Sequence, residues 1–271
     1  MNKTIPLYQV DSFATEVFTG NPAAVCPTDE WLSVEVMQKL AMENNLSETA
    51  YVVPDKSGVA DFGLRWFTPK LEMDLCGHAT LASAWVLFNE LNVEKDSITF
   101  STQVSGILTV SRGNDGLLTM DFPVYAPRPA PHHKMLEQAL GGPALEYLTA
   151  PNGMKLAVLG SVAAVTNLKP NLNAVAQMEG HGLIVTAKGE GEYDFVSRFF
   201  APLGGIAEDP VTGSAHTVLA PYWAKRLKKE TFHARQVSKR GGDVHCVLDG
   251  ERVKISGHGV LYMKGQAHLP G

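Results

Sequence analysis

The chain has 271 residues, 45% of them hydrophobic and 19% charged, with a net charge of −5 at neutral pH. That length suits two domains or one large one, and the scattered charges lack the basic run of a nucleic-acid binder. No window approaches the roughly 18 apolar residues that span a bilayer, and residues 1–11 hold no apolar stretch of signal-peptide length. A cytoplasmic protein with no nucleic-acid or membrane partner is the expectation.

In chain order, a short apolar run predicts a strand over 50–53. The aromatic, roughly alternating run at 62–67 predicts another. Gly77 opens an Ala- and Leu-rich run over 78–91 with no breaker, read as a buried central helix. Strands follow at 97–102, 106–111 and 116–122, joined by turn signals such as Gly113-Asn114-Asp115-Gly116. A Pro-rich segment, 123–131, reads as a crossover. The second half repeats the pattern: strands at 182–187 and 194–200, a helix over 213–227, then strands up to Met263.

The repeat is visible residue by residue. Asp61, Arg65, Phe67 and Pro69 lie against Asp194, Arg198, Phe200 and Pro202 at an offset of 133, and Gln103-Val104-Ser105 against Gln236-Val237-Ser238 at the same offset. Cys76-Gly77-His78-Ala79-Thr80 then lies against Thr212-Gly213-Ser214-Ala215-His216, and the Asp115-Gly116 turn against Asp249-Gly250. Matches in one order at nearly one offset point to two copies of one unit, with a period far too long for a solenoid. An α+β fold follows, in which each copy wraps a sheet around its Ala-rich helix. The half-domains are placed at 1–126 and 127–271, with the C-terminal strand free to cross over.

Three places can carry chemistry. Glu48, in Asn44-Asn45-Leu46-Ser47-Glu48-Thr49, sits at a loop-to-strand junction where a half-buried carboxylate suits general acid–base work; a solvated or capping acid is the alternative. Gly77 and His78 open the first helix, where free N–H groups favour an anion and an imidazole can exchange a proton; the alternative is a histidine that caps the helix. Glu208-Asp209-Pro210-Val211-Thr212-Gly213-Ser214 opens the second helix and offers a nest for a carboxylate, with Asp209 placed to hold an amine or take a proton. The alternative there is an acid pair complementing the helix dipole. In a pseudo-twofold arrangement both helix starts face one cleft, which suits a small acidic substrate.

Cys26, Cys76 and Cys246 form an odd, sparse set without CxxC spacing, against a disulfide framework or a structural zinc site. The nine histidines form no HExxH pair, and His132-His133 reads as a surface loop. No Walker lysine or GxGxxG spacing appears. Neither cofactor nor metal is expected.

The stretches VDSFATEVFTGNPAAV, NNLSETAYV, LRWFTPKLEMDLCGHATLASAWVLF, RFFAPLGGIAEDPVTGSAHTVLAPYWAKRL and ARQVSKRGG resemble the phenazine-biosynthesis PhzF-like family, weakest over 127–179. The resemblance implies two half-domains of the diaminopimelate-epimerase fold and often a homodimer. It further implies catalytic roles for Glu48, His78 and Asp209, with Gly77, Gly213 and Ser214 holding the substrate carboxylate. Distant epimerases of that fold use two facing thiols. Here the repeat partner of Cys76 is Thr212, whose hydroxyl cannot act as a thiolate near neutral pH. The reading is therefore a cofactor-independent isomerase that shifts a proton within a small amino or hydroxy acid or an anthranilate-like cyclic acid. The alternatives are an amino-acid racemase or epimerase using Cys76 or another base, and an inactive binding or scaffold protein of the same fold.

Overall fold

The computed structural model describes residues 3–131 and 134–269, so the His132-His133 pair lies outside the described residues. In chain order the elements are β1 (Lys3–Ser12), β2 (Asn21–Pro27), α1 (Val34–Asn44), β3 (Glu48–Pro54), β4 (Phe62–Phe67), β5 (Glu72–Met73), α2 (Gly77–Asn89), β6 (Ser97–Ser101), β7 (Ile107–Arg112) and β8 (Leu118–Pro123). They continue with β9 (Arg128–Pro129), α3 (Lys134–Leu140), β10 (Glu146–Thr149), β11 (Met154–Val158), α4 (Val162–Thr166), α5 (Leu172–Ala176), β12 (Gly182–Lys188), β13 (Phe195–Ala201) and β14 (Ile206–Asp209). After a 3₁₀ turn at Gly213–Ala215 come α6 (His216–Leu227), β15 (Thr231–Gln236), β16 (Gly242–Asp249), β17 (Arg252–Gly257) and β18 (Gly259–Leu269).

The chain forms two compact units, one running to Asp121 and resuming at Ser256, the other spanning Phe122–Ile255. In the first, the C-terminal strand β18 runs antiparallel along β1, from Lys3 against Leu269 to Ser12 against Gly259. Next to it β2 lies parallel to β3, β3 antiparallel to β4, β4 parallel to β6, and β6 antiparallel to β7. The second unit repeats each relation: β11 parallel to β12, β12 antiparallel to β13, β13 parallel to β15, β15 antiparallel to β16.

The central helices are apolar because nothing around them is solvent. In α2 the run from His78 to Ala84 is buried without interruption, and in α6 so is the run from His216 to Trp223. Burial through two full turns leaves no exposed stripe, the condition of a helix enclosed by a sheet. α2 packs against β1, β2, β3, β7 and β18. α6 stacks Trp223 on Phe195 of β13 at 5.8 Å, and its indole N–H donates to Thr186 Oγ1 of β12. Each sheet's outer face is also covered. Met37 and Ala41 of α1 pack on Cys26, Tyr51 and Phe67, and α3 and α5 pack on the outer faces of β11 to β13.

Pro221 sits inside α6, where proline removes one N–H. The carbonyl this frees, four residues back at Thr217, accepts instead from the Tyr125 N–H at 3.0 Å. The helix continues because a neighbouring segment supplies the missing donor.

Candidate active site

In the first unit Glu48 is the first residue of β3, opposite Ala23 of β2, and only 5% exposed. It is buried more deeply than the expected half-burial, because β3 begins at this residue and pairs immediately with β2. His78, the second residue of α2, is equally buried. Its Nε2 lies 3.1 Å from Glu48 Oε2, and its Nδ1 lies 3.5 Å from Cys76 Sγ. The ring bridges a carboxylate and a thiol. It does not cap the helix: the cap position is Cys76, in extended conformation, whose carbonyl takes both the N–H and the hydroxyl of Thr80. The His78 carbonyl accepts from Ser12 Oγ at 2.8 Å, which fixes the start of α2 to the end of β1.

The approach of Glu48 to His78 is close but off-axis. Neither Glu48 Oε2 nor His78 Nε2 has an aligned hydrogen-bond partner among the described residues. Burial alone lowers the affinity of His78 for a proton; the facing Cys76 and Glu48 override it and hold the imidazolium well above the usual histidine range. The Cys76 thiol is itself pushed up to about 11, by burial first and by the Glu48 charge second. Near neutral pH it is therefore a neutral thiol.

The second unit builds a different cluster at the equivalent place. Asp209 ends β14, and its Oδ2 accepts from Thr212 Oγ1 at 2.5 Å. Gln236, the last residue of β15, braces both: its Nε2 donates to the Asp209 carbonyl at 2.7 Å and its Oε1 accepts from Thr212 N at 2.9 Å. His216 donates its Nδ1 proton to the Thr212 carbonyl at 2.9 Å. Burial pushes its pKa to about 4, and that hydrogen bond only partly opposes the shift, so the ring is neutral. The Thr212 carbonyl also takes Ala215 N, which tightens 213–215 into a 3₁₀ turn. The helix expected to open at Gly213 therefore becomes α-helical at His216. Gly213 is buried and Ser214 half-buried in that turn.

The structure thus brings Glu48 and His78 into contact, while Asp209, Gly213 and Ser214 belong to the second unit and its own network. Sequence reasoning missed Gln236 as a brace, although the repeated Gln-Val-Ser had marked it. It missed His216, and it considered Cys76 only as a base, not as a neighbour of His78. Glu48, Cys76 and His78 each offer a ligand atom within 4.8 Å of the others, so the cluster has the chemistry of a metal site as well as of a proton relay.

Residues 10–265 match the family described as phenazine biosynthesis-like protein. The chain belongs to that family. An uncharacterized isomerase of Pseudomonas aeruginosa is 48% identical over 265 residues, covering 98% of this chain and 99% of the relative. A crystal structure of a PhzF-family phenazine biosynthesis protein from Enterococcus faecalis superposes with a TM-score of 0.93 at 46% identity, covering 98% of this chain and all of the other. A hydroxyproline epimerase from Agrobacterium vitis reaches a TM-score of 0.64 at 12% identity, with 99% of this chain and 93% of the epimerase covered. That likeness carries the fold alone. The PhzF-like chain therefore has the α+β epimerase-type architecture that the repeat and the resemblance led one to expect. No helix among its described residues is long and apolar enough to cross a membrane.

Proposed function

We propose that this PhzF-like protein is a cofactor-independent isomerase. It shifts a proton within a small amino or hydroxy acid, or an anthranilate-like cyclic acid, by carboxylate acid–base catalysis. The observation that carries the reading is the buried Glu48–His78 pair, with Nε2 and Oε2 3.1 Å apart. In the proposed step the Glu48 carboxylate takes a proton from one substrate carbon and returns it to another, while His78 as imidazolium stabilises the negative charge left on the substrate between the two transfers. The off-axis contact is compatible with this, because Glu48 Oε2 is not spent on an internal hydrogen bond and stays available to a carbon acid. Asp209 acts in the same reaction, Gly77, Gly213 and Ser214 hold the substrate carboxylate, and the working form is a cytoplasmic homodimer. These assignments rest on the family resemblance and the repeat. The names of relatives such as the Pseudomonas aeruginosa protein support isomerase chemistry.

The test is solvent-deuterium exchange into a panel of amino acids and cyclic diene acids. Exchange that Glu48→Gln abolishes and Cys76→Ser retains is the expected result. Exchange that survives Glu48→Gln but is lost with Cys76→Ser establishes the thiol-based racemase instead. A panel with no exchange at all favours an inactive binding protein. Light scattering on the purified chain tests the dimer.

A further inference from the structure

We propose that Glu48, Cys76 and His78 form a binding site for a thiophilic divalent cation such as Zn²⁺, and that the bound ion excludes proton transfer. The exclusion rests on the isomerase reading above; the binding does not. The three groups supply one carboxylate, one thiol and one imidazole, and their ligand atoms all lie within 4.8 Å of one another. Tetrahedral donors about 2.0–2.3 Å from an ion lie about 3.3–3.8 Å apart, so small side-chain turns bring this cluster onto one ion. All three side chains are at least nine-tenths buried. Glu48 Oε2 and His78 Nε2 face each other without an aligned partner, so two of the three donors are free to turn onto an ion.

Charge supports the same assignment. A divalent cation bound by the Glu48 carboxylate, the Cys76 thiolate and neutral His78 is exactly balanced by its two anionic ligands, which removes the main penalty of burying it. Binding expels the thiol proton and any proton on the coordinating imidazole nitrogen. The imidazole contributes only one nitrogen, so its ring turns from bridging the thiol and the carboxylate to joining them at the ion. The thiol selects Zn²⁺ or Co²⁺ over Mg²⁺ and Ca²⁺, and three protein ligands leave a fourth position for water. With the carboxylate and a ring nitrogen both occupied by metal, neither can carry a proton to or from substrate.

Metal-free protein titrated with Zn²⁺, by calorimetry and by competition with a chromophoric chelator, should take up one ion per chain. Cys76→Ser and His78→Gln should each weaken binding by more than about tenfold, the loss that even an outer-shell partner causes. Co²⁺ should give a thiolate-to-metal charge-transfer band in the parent chain, a readout that needs no variant to fold, and Cys76→Ser should lack it. Mg²⁺ should not bind. The competing site is the stacked pair His233 and His245, with Glu192 3.8 Å from His233. No Zn²⁺ uptake, no charge-transfer band, or binding lost with His233→Ala and kept with Cys76→Ser would each overturn the proposal. Deuterium exchange that continues at saturating Zn²⁺ overturns the exclusion. Zn²⁺ uptake with the band, in a protein that exchanges no substrate proton, upholds the binding and counts against the isomerase reading alone.

Discussion

The two units share one framework and differ at one place. Arg65 clamps Glu72 through two hydrogen bonds, and Arg198 clamps Glu208 in the same way, 133 residues on. Cys76 and Thr212 hold equivalent cap positions, both in extended backbone. Around that cap the units part. In the second, the Asp209 carboxylate, the Thr212 hydroxyl and the Gln236 amide close on one another and leave few groups unspent. In the first, the equivalent glutamine, Gln103, is exposed, and the cap thiol meets an imidazole that faces a carboxylate off-axis. A duplicated scaffold has closed one helix start around its acid, hydroxyl and amide, with His216 Nε2 as its unpaired atom, and has left a carboxylate oxygen and an imidazole nitrogen open at the other. The open one is where reactivity is expected.

The largest effect expected from that difference is on activity. Glu48→Gln should lower proton exchange by about 10²–10⁴-fold, the range for removing a general acid–base group. Gln236→Ala should act chiefly through stability, seen as a lower midpoint of denaturation. Equal losses of exchange from the two variants, at matched folding, would remove the contrast between the clusters.

The clamps should differ in stability. Arg198 is 9% exposed, and besides Glu208 it donates to the carbonyls of Val165, Thr166 and Leu168. Arg65 holds Glu72 and lies over the rings of Trp31 and Phe67; its side chain is as buried as that of Arg198 but has no such set of backbone acceptors among the described residues. Arg198→Leu strands a carboxylate and three carbonyls and should cost about 3–5 kcal/mol. Arg65→Leu should cost about 1–2 kcal/mol. Urea titrations read both, and a reversed order would mean that the three carbonyl bonds of Arg198 are not what separates them.

The part of this molecule legible in its sequence is the part written locally or twice. The strand over 62–67 is found where the alternation placed it, as β4. The buried helix over 78–91 is α2, begun one residue earlier and ended two earlier. The repeat became legible as topology because the same alternation and the same Arg recur. The Glu48–His78 contact joins residues 30 apart, and no local pattern pointed to it; the repeat and the family resemblance did. Periodicity reports which face of an element is buried, not which side chains of different elements meet. Pro221 shows the same limit: an internal proline argues for a break, and the donor that removes the problem, Tyr125 N, lies 96 residues away, from 221 − 125. The 3₁₀ start of α6 depends on what Thr212 O accepts, which no pattern in 213–227 encodes.

His216 predicts a pH effect with no counterpart at Thr80, its repeat partner. Its pKa falls from 6.5 to about 4 on folding because burial disfavours the charged ring. Between those values the unfolded chain binds the proton more tightly, so acid favours unfolding. The stability is fully present above about pH 6.5 and is lost as pH falls toward 4, by about 3 kcal/mol for this group. His78, with a raised value, acts in the opposite sense: its contribution is present below the unfolded pKa and is lost as pH rises through the folded one. His216→Gln should flatten the acid limb of stability against pH and leave the alkaline limb unchanged. An acid limb as steep as that of the parent would assign the loss to other groups.

The smallest effect expected is an equality. Asp61 begins the turn into β4, and its Oδ2 accepts from Thr99 N at 2.9 Å. Asp194, at the same place before β13, has an Oδ2 that accepts from His233 N at 2.9 Å. The Asp61 N–H returns a bond to the Thr99 carbonyl, and the Asp194 N–H returns one to the His233 carbonyl. Each carboxylate also meets a half-exposed lysine, Lys95 or Lys229. An asparagine keeps one oxygen to accept the backbone N–H but loses the charge that faces the lysine. Asp61→Asn and Asp194→Asn should each cost about 1 kcal/mol or less, since the ion pairs are largely solvated. Both losses should shrink in high salt, where such pairs are screened. The one asymmetry is the Thr99 hydroxyl, which also donates to Asp61 and has no match at His233, so Asp61→Asn should be the costlier by a few tenths of a kcal/mol. Differential scanning calorimetry of the two variants at low and high salt reads this directly. A loss of several kcal/mol at one position and none at the other would show that the duplication preserved the geometry of this bracket without preserving its role.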